Sequence, residues 1–154
     1  MFPQFEKTGH VPAVSSARIA ATRELLRAAP QDPAARQVLV VDDEPLMRWS
    51  MAESLRDQHY GVIEAADGAE ALRALSSADV DAIVLDYRLP DSDDLALLAR
   101  IRQLAPLTPV VMISAHSRPD ISDRARDMGV HTLIEKPFEM RMLAAILARA
   151  HDGR

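Results

Sequence analysis

Short apolar runs alternate with amphipathic segments through most of this 154-residue chain. Each apolar run is bounded by Gly, Pro or charged residues, a pattern typical of strands buried in a parallel sheet. Each run is followed by a segment whose apolar residues recur three or four positions apart, which predicts a helix. The predicted strands cover residues 37–42, 60–65, 80–86, 108–114 and 131–135. Right-handed crossovers between them predict an α/β fold, with a five-stranded parallel sheet between two layers of helices.

The predicted helices have recognisable start signals. Asp67–Gly68 marks a turn into the second helix. Ser92 or Asp93 can cap the third helix, and Ser117 can cap the fourth. The fifth helix is predicted over residues 139–151.

The beginning of the chain follows a different pattern. Its first residues lack periodicity, but Ser15 or Ser16 can cap an alanine-rich helix that ends near Ala29. A linker with two prolines comes next. We therefore predict an N-terminal extension over residues 1–35 and a folded domain over residues 36–151.

Every predicted strand except the second ends in a residue that can take part in chemistry. These residues are Asp42 and Asp43 after the first strand, Asp86 after the third, Ser114 after the fourth and Lys136 after the fifth. Because the carboxyl ends of parallel strands lie along one edge of a sheet, these side chains are expected to converge.

This combination of groups favours a cation and a phosphoryl group. Neighbouring carboxylates repel one another unless a proton or a cation lies between them. All-oxygen ligation with room for water is the pattern for Mg²⁺. Asp86 is a candidate nucleophile, and Lys136 and Ser114 can neutralise and contact a transferred phosphoryl group. Phosphoryl transfer needs positioning and charge neutralisation, so no general base is required.

Composition supports the same interpretation. The net charge is −5, while residues 1–36 carry +2, so the rest of the chain is acidic and suits a cation better than a nucleic acid. The chain has no cysteine, which excludes disulfides, thiolate metal sites and cysteine nucleophiles. It has neither an apolar run long enough to span a membrane nor a signal peptide, so a cytoplasmic location is expected.

Four segments resemble the signatures of response regulator receiver domains, the CheY-like proteins of two-component signal transduction. They are residues 38–44, 84–91, 113–115 and 135–138. The resemblance covers about residues 36–151 and implies a flavodoxin-like strand order.

The resemblance also implies roles for single residues and for partners. Asp86 would accept a phosphoryl group from a sensor histidine kinase or a histidine phosphotransfer protein, and the chain would catalyse only its own phosphorylation and dephosphorylation. Ser114 would contact the phosphoryl group and Lys136 would pair with it, next to a cis Lys136–Pro137 bond. The implied Mg²⁺ ligands are Asp42, Asp43, Asp86 and the backbone carbonyl of Arg88. A conformational switch would then control a downstream partner, and a second copy of the chain is a further candidate partner.

Leu133 departs from the family pattern, and the role of Trp49 has two alternative interpretations. Leu133 stands where family members usually carry Tyr or Phe, so the aromatic part of the switch is expected to be absent. Trp49 lies away from the core stripe of the first helix. Either the N-terminal helix covers it, or it belongs to a surface that binds the phosphodonor.

Two other functions are weighed against this one. The first is a Mg²⁺-dependent phosphatase of the haloacid dehalogenase type, in which two aspartates are two positions apart, whereas Asp42 and Asp43 are adjacent. The second is an interaction module with a receiver fold that acts without phosphorylation. The complete set of site residues argues against it.

Overall fold

The computed structural model describes residues 35–91, 95–115 and 118–152. Five strands and five helices alternate along this part of the chain, as the sequence predicted. In chain order they are β1 (Gln37–Val41), α1 (Pro45–Asp57), β2 (Gly61–Ala65), α2 (Gly68–Ser77), β3 (Ala82–Asp86), α3 (Ala96–Leu104), β4 (Val110–Ser114), α4 (Pro119–Asp127), β5 (Thr132–Glu135) and α5 (Met140–Asp152). The predicted N-terminal helix lies outside the described residues.

All five strands are parallel and follow the order β2-β1-β3-β4-β5. This is the flavodoxin-like order, in which the strand order reverses next to β1. The predicted fold class is therefore confirmed. Asp86 pairs with Ile113 of β4, so the carboxyl ends of the central strands are level with one another.

Helices cover both faces of the sheet because side chains alternate along each strand. Leu39 and Val41 pack in the core on the side of α2, α3 and α4. Val38 and Val40 pack in the core on the side of α1 and α5. All four are fully buried, which explains why β1 is continuously apolar rather than alternating.

The residues predicted to cap α3 (Ser92 or Asp93) and α4 (Ser117) lie outside the described residues. Helix α3 begins after Leu95 and α4 begins after Arg118, and neither residue makes a side-chain capping bond. Leu95 is buried in the core directly before the start of α3. In α4 the first helical residue is Pro119, whose fixed backbone angle favours that position.

The turn predicted at Asp67–Gly68 leads into α2, and Asp67 caps this helix. Asp67 Oδ1 accepts a hydrogen bond from the Glu70 N–H at 2.8 Å, and Glu70 Oε2 accepts one from the Ala66 N–H at 2.8 Å. Such reciprocal bonds satisfy N–H groups that have no partner within the helix. In the described part of the chain, no helix is both long enough and apolar enough to cross a membrane.

Candidate functional site

Three carboxylates lie together at the carboxyl edge of the sheet. Asp42 directly follows β1, and Asp86 is the last residue of the neighbouring strand β3. One oxygen from each of Asp42, Asp43 and Asp86 lies within 4.8 Å of the others. Asp42 and Asp86 are buried, whereas Asp43 is exposed to solvent. The structure thus brings together the three aspartates that the sequence placed at one edge.

Backbone N–H groups hold one oxygen of each buried aspartate. Asp42 Oδ1 accepts a hydrogen bond from the Glu44 N–H at 2.9 Å, and Asp86 Oδ1 accepts one from the Arg88 N–H at 3.1 Å. The second oxygen of each aspartate lies near Lys136. Its Nζ is 3.3 Å from Asp86 Oδ2 and 3.6 Å from Asp42 Oδ2. The lysine is therefore within ion-pair distance of both carboxylates.

Burial and charge shift the pKa values of this cluster. Burial, and then the negative charge of Asp42, raise the pKa of Asp86 to about 6, although the Arg88 N–H and Lys136 act in the opposite direction. Burial by itself would lower the pKa of Lys136, but the charges of Asp86 and Asp42 outweigh it and raise that pKa. At neutral pH the cluster therefore holds a charged lysine and a carboxylate that is costly to ionise.

The donor set fits a Mg²⁺ ion. Asp42 Oδ2 is buried and accepts no hydrogen bond from the described residues, and the 3.6 Å to Lys136 Nζ exceeds hydrogen-bond length. Buried oxygens are normally satisfied, and a hard cation would satisfy this one. The exposed Asp43 leaves the cluster open to solvent, which suits an ion that keeps several of its waters.

The other predicted site residues lie on neighbouring strands and loops. Ser114 is buried at the end of β4, and its carbonyl accepts the Lys136 N–H at 2.8 Å, which aligns the ends of β4 and β5. Arg88 is exposed in the loop after β3, and its role as a carbonyl ligand stays a prediction. The Lys136–Pro137 bond is cis, as the resemblance implied. Leu133 is partly buried and packs against the core on the side of α2 to α4.

Asp91, for which sequence analysis indicated no structural role, joins the loop after Asp86 to helix α2. Its two carboxylate oxygens accept the N–H groups of Gly68 at 2.7 Å and Ala69 at 3.0 Å. These hydrogen bonds, chiefly the one from Gly68, lower the pKa of Asp91. Asp91 lies more than twenty residues from its partners, so no local pattern could indicate this contact.

The fold and the place of the cluster define the class of protein. It is a flavodoxin-like α/β domain whose acidic, cation-compatible site lies at the carboxyl edge of the sheet. The model of the family described as "Response regulator receiver domain" matches residues 38–148. The chain belongs to this family.

Individual relatives agree with this assignment. A putative NtrX-like response regulator of Rickettsia conorii is 40% identical over 115 residues, and the DNA-binding transcriptional regulator NtrC of Escherichia coli is 36% identical over 113 residues. Each match covers 73% of this chain and 24% of the relative, so the chain spans about a quarter of the length of these regulators. The structure of the chemotaxis response regulator CheY4 of Vibrio cholerae is similar, with a TM-score of 0.70 and 28% identity, over 76% of this chain and 99% of that one.

Proposed function

We propose that the chain accepts a phosphoryl group on Asp86 from a sensor histidine kinase or a histidine phosphotransfer protein. The observation that carries this proposal is the surroundings of Asp86. It is buried at the end of β3, 3.3 Å from Lys136 Nζ and within 4.8 Å of oxygens of two other aspartates. Membership of the receiver family supports the same role.

Asp86 is the nucleophile in the proposed transfer. One of its oxygens attacks phosphorus while the bond from phosphorus to the histidine nitrogen breaks. The electron pair of that bond stays on the imidazole, which leaves as the neutral ring when its other nitrogen carries a proton. Lys136 offers a positive charge to the phosphoryl oxygens, and Ser114 offers a hydroxyl at the end of the adjacent strand.

Asp42, Asp43 and Asp86 would hold Mg²⁺, together with the backbone carbonyl of Arg88. When bound, this ion supplies positive charge that offsets the carboxylates and the incoming phosphoryl group. Asp42 supports this assignment because its Oδ2 is buried without a hydrogen bond from the described residues.

The rest of the proposal concerns the whole chain. Residues 36–151 form the receiver, and residues 1–35 form an N-terminal extension. The protein acts in the cytoplasm, where phosphorylation shifts a conformational equilibrium that controls a downstream partner. Binding to DNA is stated for NtrC, and we propose no direct nucleic-acid contact by this acidic domain.

Phosphorylation by a small-molecule phosphodonor tests the assignment of Asp86. With acetyl phosphate and Mg²⁺, the wild-type protein is expected to gain one acid-labile phosphoryl group, measured by intact-protein mass spectrometry. Asp86→Asn removes the nucleophilic oxygen and is expected to abolish the gain. Asp79→Asn is the matched control, because Asp79 is an exposed aspartate in the loop before β3, at the opposite edge of the sheet.

Two results would contradict the proposal. Labelling of Asp86→Asn at the wild-type level would place the phosphoryl group elsewhere. Wild-type protein that neither binds Mg²⁺ nor becomes labelled would favour an interaction module that acts without phosphorylation.

A further inference from the structure

Arg48 connects helix α1 to the backbone of the acidic cluster. Its Nη1 donates a hydrogen bond to the carbonyl oxygen of Asp42 at 2.8 Å. Its Nε lies 3.5 Å from Oε1 of Glu64 on strand β2. The two side chains are only 14% and 9% exposed, so water competes weakly for this contact. One guanidinium thus joins the end of β1 to the neighbouring strand.

The hydrogen bond from Arg48 is one of three that hold Asp42 in place. The Asp42 N–H donates to the Ala65 carbonyl at 3.1 Å, and its Oδ1 accepts the Glu44 N–H at 2.9 Å. With Arg48 bound to its carbonyl, both backbone groups and one carboxylate oxygen of Asp42 are held. The remaining oxygen, Oδ2, is the buried atom that faces Lys136 and has no hydrogen bond from the described residues.

Glu64 gives Arg48 an anionic partner on strand β2, apart from the three aspartates of the acidic cluster. A flexible cation next to three carboxylates could otherwise turn towards them and compete with a metal ion. Glu64 is bound from two sides, because Arg56 Nη2 lies 3.3 Å from its Oε2. Its charge and position therefore hold Arg48 against the Asp42 carbonyl.

We propose that Arg48 is a positioning residue for the Mg²⁺ site, acting through Asp42 and supported by Glu64. The proposal rests on the proposed function, since it assumes that the aspartates bind Mg²⁺. Outer-shell groups that orient metal ligands commonly change metal affinity by roughly 10–100-fold when they are removed. Here the oriented group is the backbone of a ligand that contributes a buried oxygen.

A positioning role and a purely electrostatic effect of Arg48 predict opposite changes in Mg²⁺ affinity when the residue is replaced. Removal of a positive charge near the cluster would, by Coulomb's law alone, make Mg²⁺ bind more tightly. Loss of positioning makes Mg²⁺ bind more weakly, because Asp42 must then be ordered by the ion itself. The sign of the change in affinity therefore distinguishes the two effects.

Titration calorimetry with Mg²⁺ alone tests this proposal without any phosphodonor. Arg48→Ala is expected to weaken Mg²⁺ binding about tenfold. Arg48→Lys keeps the charge but not the branched contact to both partners, so its affinity is expected to lie between those of Arg48→Ala and the wild type. Glu64→Gln frees Arg48 and is expected to weaken binding as well, but the loss of its negative charge acts in the same direction, so the Arg48 variants carry the test.

Arg56→Ala is the matched control. It removes a positive charge from the same helix and an ion pair to the same Glu64, while the hydrogen bond from Arg48 to Asp42 stays in place. Its Mg²⁺ affinity is expected to stay within about twofold of the wild type. Unfolding curves for each variant show whether it is folded. If Arg48→Ala is not folded, Arg48→Lys decides the question, because it keeps the positive charge and a purely electrostatic effect would leave its Mg²⁺ affinity unchanged.

The outcomes separate this inference from the proposed function. Equal or tighter Mg²⁺ binding by the folded Arg48 variants would overturn the positioning role alone. Failure of the wild-type protein to bind Mg²⁺ would overturn the metal site, and this inference with it.

Discussion

Asp86 is buried beside a second carboxylate, so its negative charge opposes folding when no metal is bound. The folded state raises its pKa from 3.8 to about 6, first through burial and then through Asp42. A raised pKa means that the protonated form is favoured in the folded protein. Its contribution to stability is therefore full below about pH 4 and is lost as the pH rises through about 6. Such a cost is understandable at a residue that must be both buried and reactive.

We expect the loss of stability caused by ionised Asp86 to be measurable in metal-free protein. With a chelator present, Asp86→Asn should be more stable than the wild type by about 3 kcal/mol above pH 7, because the amide cannot ionise. Near pH 4 that difference should be close to its smallest value. Urea denaturation across this pH range measures it, with Asp79→Asn as the control.

Two further results test whether the charge of Asp86 destabilises the metal-free protein. Added Mg²⁺ should stabilise the wild type more than Asp86→Asn, since the ion binds only the folded cluster. A stability difference between wild type and Asp86→Asn that does not change with pH would show that the charge of Asp86 is not destabilising.

At the scale of elements, Arg102 at the end of α3 joins three separate segments. Its Nη1 donates to the Thr108 carbonyl at 2.7 Å, and its Nε donates to the Met128 carbonyl at 3.0 Å. Its Nη2 donates to the carbonyl of Gly129, which has a φ of +82° that favours glycine. The contact matters because α4 buries only a thin stripe, Ile121 and Ala125. A side chain of α3 thus holds the turn that leads from α4 to β5.

We expect Arg102→Met to lower the free energy of unfolding by about 1–3 kcal/mol. The methionine keeps the apolar stem but leaves carbonyl oxygens without their charged donor. Urea denaturation measures the change. Arg100→Met is the matched control, since Arg100 lies exposed on the same helix and its loss should change stability by less than about 0.5 kcal/mol. Equal effects of both substitutions would contradict a specific role for Arg102.

At the scale of the whole molecule, the first helix leads away from the acidic cluster with apolar side chains on its surface. Leu46 is 63% exposed and Trp49 is 38% exposed, and α1 begins directly after Asp42, Asp43 and Glu44. A large aromatic side chain near a reactive site is a typical anchor for a protein partner. The sequence predicted that this face of α1 either binds the phosphodonor or is covered by the N-terminal helix, which lies outside the described residues. The first alternative stays a prediction that can be tested at Trp49.

We expect Trp49→Ala to slow phosphoryl transfer from a cognate kinase by about tenfold, because an interface anchor is lost. Phosphorylation by acetyl phosphate should stay at the wild-type rate, because a small donor needs no docking surface. Leu107→Ala serves as control, since Leu107 is 86% exposed but lies before β4, at the other edge of the sheet. If Trp49→Ala reacts with both donors at wild-type rates, α1 is not the docking surface.

The sequence predicted the elements well where the signal was local. The observed strand bounds differ from the predicted ones by one or two residues, as in β4, which begins at Val110 rather than Thr108. Pro109 has no N–H to give to the sheet, although its carbonyl accepts the Ile83 N–H at 2.9 Å. The predicted caps of α3 and α4 stay predictions, because Ser92, Asp93 and Ser117 lie outside the described residues.

By itself, the sequence determined that strands and helices alternate and that Asp42, Asp43, Asp86 and Lys136 lie at one edge. Periodicity is a local property, and the crossover rule then leaves few ways to arrange parallel strands. Only the tertiary structure decided how these groups are held: Lys136 meets Asp86 from fifty positions away, and Arg48 binds the Asp42 carbonyl. The tertiary structure also decided the raised pKa of Asp86. Burial and the distances between charges are defined only once distant segments have packed together.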